Sequence, residues 1–275
     1  MKCIKRRWMR PAKNNRPRFR ALIAISVLVP AAIGAMLFLE TKFYPPILMY
    51  HNVENLPPGN SMYVTDKQFR EQMMFLREHK YNVVSLDGLA DILESGRKVP
   101  RNTVAVTFDD GNANNYLNAF PILKEYGIPA TVFMISDYIG RDGYLTITQI
   151  RKMSAAGVGF GSHTRSHLNF KDAPERVIED ELLHSKKIIE EVTGKKVTAF
   201  CYPFGERGAC SGGMLERAGY RTAFVTTPRD GSVKLDRFAL KRIKIETSGA
   251  NMLEFRLKVS GYYTWLKSAG RKKKK

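Results

Sequence analysis

TVAVTFDDG, Thr103 to Gly111, is an apolar, β-branched run closed by two adjacent acids and a glycine. Such a run reads as a buried strand whose C-terminal end carries polar chemistry. Downstream, SHTRSH (Ser162 to His167) sets two histidines four residues apart. A carboxylate pair beside a His-x-x-x-His unit suits a mononuclear metal site with a spare carboxylate. Hydrolytic metal enzymes need both: ligands that leave a coordination position open, and a base beside the attacking water.

Similar runs lie on either side. ILMY (47–50), NVVSL (82–86), ATVFMI (130–135), GVGFG (157–161), KVTAFCY (196–202), RTAFVT (221–226) and FALKRIKI (238–245) all read as strands. Helical patterns separate most of them. Phe69, Met73 and Leu76 recur at helical spacing, as do Tyr116, Phe120 and Leu123, and a longer helix is expected from about Ala173 to Thr193. Gly127, Gly157 and Gly194 stand where left-handed helix ends are wanted. This alternation predicts one α/β domain with a parallel sheet closed into a barrel. A doubly wound open sheet competes, but no Gly-x-Gly-x-x-Gly follows the first strand.

His51, Asp109 with Asp110, His163, and Tyr202-Pro203-Phe204 each follow a predicted strand. That is the face on which parallel barrels carry their chemistry. His163 and His167 converge if their segment turns helically. Two imidazoles and one carboxylate suit Zn²⁺ or another divalent first-row metal (Co²⁺, Ni²⁺ or Fe²⁺). Adjacent acids on a regular strand point to opposite faces; Gly111 is expected to break the strand so that both reach one pocket. Competing readings are a core histidine pair, and a helix N-cap or Mg²⁺ site for the acids.

The net charge of +19 suggests nucleic acid at first sight, but residues 1–20 hold nine Lys or Arg without an acid and Arg271–Lys275 hold five more. Only five net charges remain for residues 21–270, so no nucleic-acid partner is expected. Between the basic tail (1–20) and a linker (40–46) lies an uncharged run, residues 21–39. At about 1.5 Å per residue it can cross a bilayer's hydrocarbon. The basic flank places the N-terminus in the cytoplasm and the rest of the chain outside it, towards the periplasm or cell exterior. A cleaved signal peptide competes, but the run is long and no small-x-small site follows. A folded domain is expected over 47–265 and a basic tail over 266–275. Cys201 and Cys210 either pair or remain buried thiols.

TFDDG, SHTRSH and FCYPFG (Phe200 to Gly205) together resemble three motifs of the polysaccharide deacetylases, the NodB-homology group or carbohydrate esterase family 4. The resemblance spans Pro45 to about Gly261. It implies a distorted (β/α)7 barrel and removal of acetyl groups, mainly N-acetyl, from a glycan. It also implies Asp109 as general base and Asp110, His163 and His167 as metal ligands. Two departures matter. An Arg common at the start of the third motif is here Cys201, and no His follows His184 to serve as a C-terminal acid. PPILMYHNV (Pro45 to Val53) is similar to the subgroup containing biofilm poly-N-acetylglucosamine deacetylases, where the acid His lies on the first strand; that maps onto His51.

Counting in twos from Phe238 and Leu240 puts Arg242 on their face of the last strand, from which it can replace the missing Arg and hold Asp109. Tyr202, Pro203 and Phe204 form the candidate substrate-binding set, with a backbone N–H near Tyr202 for the oxyanion. His79 and His184 read as ordinary helix residues. A catalytically inactive glycan-binding or scaffold protein of the same fold is the alternative function.

Overall fold

The computed structural model describes residues 16–55, 62–210, 212–226, 235–246 and 251–272. The chain divides into two compact units, Met1–Lys42 and Phe43–Lys275. The first holds α1 (Arg16–Glu40), a helix with Pro30 inside it. Among the described residues no helix is long and apolar enough to cross a membrane. Residues 1–15 of the expected basic tail lie outside the described residues.

The second unit carries ten strands among the described residues: β1 (Ile47–Tyr50), β2 (Asn52–Val53), β3 (Tyr63–Val64), β4 (Asn82–Val83), β5 (Thr103–Phe108), β6 (Thr131–Met134), β7 (Gly159–Ser162), β8 (Ala199–Cys201), β9 (Thr222–Thr226) and β10 (Leu240–Lys244). β1 and β5 to β10 form a closed parallel barrel, in the order β1-β10-β9-β8-β7-β6-β5 and back to β1. Closure is made by β1 against β5, with Leu48 opposite Val106, and by β1 against β10, with Leu48 opposite Ile243. β2 and β3 form a separate short pair.

The α-helices of this unit, among the described residues, are α2 (Asp66–Glu78), α3 (Leu86–Glu94), α4 (Phe120–Tyr126), α5 (Ile147–Ala155), α6 (Glu175–Thr193), α7 (Gly212–Arg217), α8 (Met252–Val259) and α9 (Tyr263–Lys272). Thr65 and Gln68 cap α2 reciprocally, as Thr146 and Gln149 cap α5. α2 buries Phe69, Met73 and Leu76, the residues whose spacing marks it in the sequence. Gly127 and Gly194 end α4 and α6 in the left-handed conformation.

Side-chain alternation sorts the strands into two cores. Leu48, Val106, Val132, Phe200 and Val225 belong to the larger cluster. Ile47, Ala105, Phe133, Ala199, Cys201, Phe224 and Leu240, at the alternate positions, form a smaller one together with Leu86 and Leu89. These alternate positions fill the barrel interior. β4 stops after two residues because Ser85 caps α3, its hydroxyl accepting from Gly88 N. The NVVSL strand is therefore shorter than its composition suggests, and its Leu86 serves the interior core.

Two boundaries shift. Residues 43–46 belong to the folded unit rather than to a linker: Tyr44 is buried, its N–H donates to Gly261 O, and its hydroxyl accepts from Lys241 N. α9 likewise runs through most of the stretch that composition assigns to a basic tail.

Candidate active site

The interior positions that lead up the strands continue as polar residues, past the C-terminal ends of β1, β5 and β7 and within β10. Ala105 and Thr107 on β5 lead to Asp109, Ile47 and Met49 on β1 lead to His51, and Leu240 on β10 leads to Arg242. Gly161 on β7 leads to His163 in the same way. A Cβ at Gly161 would lie 2.6 Å from the Phe133 ring, so a side chain there would collide with the interior core. One step of two residues beyond the apolar layer, these positions line a cavity of about 320 Å³ that includes His51, Asp109, Asp110, His163, His167 and Arg242.

The strand breaks at Asp110 itself. Asp110 and Gly111 both take left-handed backbone, φ 70° and 77°, and Gly111 N–H donates to Asp109 O at 2.9 Å. The left-handed conformation favours glycine there, and an added Cβ, 2.6 Å from Met134 Sδ, would also have to displace that thioether. The turn lets two successive carboxylates face one cavity.

The carboxylates then diverge. Arg242 grips Asp109 through two parallel hydrogen bonds, Nη1 to Oδ1 and Nη2 to Oδ2, each 2.6 Å. Both side chains are buried. Arg242 also donates to Thr107 Oγ1 at 3.2 Å and to Cys201 Sγ at 2.9 Å, and its guanidinium lies 5.3 Å from the Phe133 ring centre. Burial pushes the Asp109 pKa up, but the charge and hydrogen bonds of Arg242 outweigh it and hold the carboxyl well below the usual range. The Asp110 pKa is raised, by burial and by the neighbouring Asp109 charge.

Asp110 Oδ1 lies 3.6 Å from His163 Nε2 and 3.8 Å from His167 Nε2. His163 Nδ1 lies 2.8 Å from Cys201 O. A carbonyl can only accept, so Nδ1 carries the proton and Nε2 presents its lone pair to the cavity. Burial lowers the pKa of both imidazoles, and for His167 the neighbouring His163 lowers it further. Neutral imidazoles are the form that binds metal.

Two residue sets bring ligand atoms within reach of a shared ion, Asp110-His163-His167 and Asp109-His163-Cys201. The second does not fit. Arg242 already occupies Asp109, and burial raises the Cys201 thiol pKa well above its ordinary value. The first fits a divalent first-row metal, because donors 2.0–2.1 Å from a tetrahedral ion lie about 3.4 Å apart.

The His163–His167 segment is not helical. Thr164 and His167 both have positive φ, 67° and 65°, and His167 N–H donates to Thr164 Oγ1 at 2.9 Å. The two imidazoles converge through a looped turn, with ring centres 4.9 Å apart. His51 is buried with Nε2 3.9 Å from Asp109 Oδ2. Burial lowers its pKa, although the charges of Asp109 and Asp110 push it back up.

The third-motif residues separate. Tyr202 is buried, and its hydroxyl donates to Phe238 O at 3.0 Å. Its N–H donates to Phe224 O in the sheet at 3.1 Å, so it is not free for an oxyanion. Pro203 is buried as well. Phe204 is 61% exposed, with its ring centre 4.8 Å from that of His167. Of the three, only Phe204 presents an aromatic side chain at the mouth. Cys201 and Cys210 are both buried thiols and are not joined in a disulfide. His79 stacks on Phe75 on the surface, and His184 lies on α6.

A Bacillus subtilis protein assigned to the polysaccharide deacetylases, YxkH, is 32% identical to this chain over 200 residues, which cover 73% of this chain and 71% of that protein. The chain belongs to the polysaccharide deacetylase family. The family's sequence pattern matches residues 96–223 of the deacetylase. Its fold is similar to that of the Streptococcus pyogenes deacetylase PplD in complex with acetate, with TM-score 0.70 and 26% identity over 76% of this chain and 95% of that one. It is also 26% identical to the poly-beta-1,6-N-acetyl-D-glucosamine N-deacetylase of Staphylococcus epidermidis, over 75% of this chain and 80% of that protein. Members of the family use a divalent metal.

Proposed function

We propose that this deacetylase removes N-acetyl groups from an N-acetylglucosamine-type glycan of the cell envelope or extracellular matrix. One observation carries the reading: a carboxylate held ionised by Arg242 stands directly beside a separate Asp110-His163-His167 donor set. The likeness to the S. epidermidis enzyme supports the substrate class.

When bound by Asp110, His163 and His167, a divalent metal, Zn²⁺ being the best match to the donors, supplies Lewis acidity for the acetyl carbonyl and the attacking water. Asp109 takes the proton from that water as it attacks. Arg242 keeps Asp109 ionised and aimed while this happens. His51, at the C-terminal end of the neighbouring strand β1, hands a proton to the departing amine. Phe204, exposed beside His167, offers a ring face for the sugar. Acetate release from N-acetylglucosamine oligomers, measured with and without chelator and with Zn²⁺ restored, tests the reading; oligomers that keep their acetyl groups with metal present would sink it.

The same reading places the chain in the cytoplasmic membrane through residues 21–39, with the catalytic unit facing the periplasm or cell exterior. Support comes from the uncharged run behind a basic flank and from exposed Leu28, Val29, Ile33, Met36 and Leu37 on α1. Protease added to intact spheroplasts is expected to digest the catalytic unit and spare the N-terminal tail.

A further inference from the structure

The loop carrying both histidine ligands is clamped from outside the motif. Glu181 lies on α6, buried to 6% relative exposure. Its Oε2 accepts the backbone N–H groups of Arg165 at 2.8 Å and Ser166 at 2.9 Å, and its Oε1 accepts from Ser166 Oγ at 2.7 Å. One helical turn further, Ser185 Oγ accepts from Ser162 Oγ at 2.9 Å, and Ser162 Oγ in turn accepts from Thr164 N–H at 3.2 Å. One face of α6 thus holds the residue before His163 and the two residues before His167.

That loop needs holding. Thr164 and His167 both occupy left-handed backbone, which costs a non-glycine residue about 1–2 kcal/mol each. A loop left to itself relaxes towards commoner conformations, and His167 then swings away from Asp110 Oδ1. The N–H groups of Ser136 and Asp137 also donate to Thr164 O and Arg165 O at 3.2 and 3.0 Å, and the Arg165 side chain adds a weaker hook. It reaches half-buried Asp137 at 3.2 Å and exposed Asp180 at 3.3 Å.

We propose that Glu181 is the positioning residue of the metal centre. By collecting three hydrogen bonds from Arg165 and Ser166 it fixes the strained turn that points His167 at the ion. The proposal rests on the metal reading above. Glu181 acts through geometry rather than charge. A glutamine at this position keeps an oxygen for the two N–H groups and an amide nitrogen that can donate to Ser166 Oγ.

The test uses purified full-length protein. Zn²⁺ affinity is measured by competition with a chromophoric chelator, the Co²⁺ visible spectrum reports ligand geometry, and Tm is taken on the metal-free protein. Glu181→Ala is expected to weaken Zn²⁺ binding by roughly 10–100-fold and to alter the Co²⁺ spectrum. Glu181→Gln should stay within about threefold of wild type. Should Glu181→Ala not fold, Ser166→Ala replaces it: losing one bond of three should weaken Zn²⁺ binding roughly two- to tenfold at unchanged metal-free Tm. Zn²⁺ affinity unchanged in Glu181→Ala, or lost equally in Glu181→Gln, overturns the positioning role. A wild-type protein that takes up no Zn²⁺ overturns the metal reading itself.

Discussion

Arg242→Ala is the most informative single change in this molecule. Arg242 and Asp109 are both buried and share two hydrogen bonds of 2.6 Å. Removing one partner of such a pair leaves a buried charge worth about 3–5 kcal/mol of destabilisation, unless the charge is neutralised. Asp109 can neutralise itself. Burial is the largest influence on its pKa and acts upward, and Arg242 is what reverses it. Without Arg242 the folded-state pKa rises above the unfolded value of about 3.9, and Asp109 takes up a proton.

Two measurable consequences follow. Turnover at neutral pH should fall roughly 10²–10⁴-fold, the usual contribution of a general base, and should recover about tenfold per pH unit until the carboxyl ionises again. The pH dependence of stability should change sign. In the wild type the depressed pKa stabilises the fold above about pH 4, and that contribution is lost as the pH falls towards the folded value. In the variant the raised pKa makes stability fall as pH rises from about 4 through the folded value. Deacetylation by metal-saturated enzyme is followed across pH, with thermal unfolding of metal-free protein over the same range. A loss of turnover that is equal at every pH, or a stability slope of unchanged sign, would refute the argument.

Other substitutions separate the remaining roles. Asp109→Asn should keep the metal and lose turnover, whereas Asp110→Ala, His163→Ala and His167→Ala should each abolish tight metal binding; the opposite outcome for the two acids means their roles are exchanged. Metal affinity should weaken on acidification, because the raised Asp110 pKa makes protons compete for that ligand; calorimetry in buffers of different ionisation heat counts the protons released. His51→Ala should cut turnover of N-acetyl substrates by roughly 10²–10⁴-fold. Its effect on an aryl acetate, whose leaving group needs no proton, should be much smaller, and equal losses on both would remove His51 as the acid.

The barrel was legible because apolar runs and their terminal polar residues are local signals. TVAVTF is strand β5, and the acids that follow it stand at the strand's C-terminal end. Counting in twos was enough to bring Arg242 onto the interior face, since strand alternation is rigid. The errors lie where backbone leaves regular structure. His-x-x-x-His spacing suggests a helical turn, yet His163 and His167 converge through left-handed backbone at Thr164 and His167 that no spacing rule encodes. Tyr202 lines the cavity, but the sequence does not show that its hydroxyl and N–H are held by Phe238 O and Phe224 O. Glu181 carried no signal at all: an acid in the middle of an amphipathic helix reads as solvated until tertiary packing brings a loop onto it.

Adjacent identical side chains doing opposite work is the central physical feature of the site. Asp109 and Asp110 share a desolvated cavity, and like charges so close cannot both be stable without cations. The fold supplies one cation permanently. Arg242 is part of β10 and pairs with Asp109 through both oxygens, which keeps that carboxylate ionised. Asp110 gets no such partner. Its pKa is raised, and the groups it faces are two imidazoles that burial keeps neutral. An uncompensated carboxylate beside two neutral nitrogen donors is an electrostatic vacancy that a divalent cation fills. Placing Arg on β10, where the third motif has Cys201, therefore does more than orient a base. On the proposed mechanism it also separates the roles of the two acids, favouring a metal at Asp110 over one at Asp109.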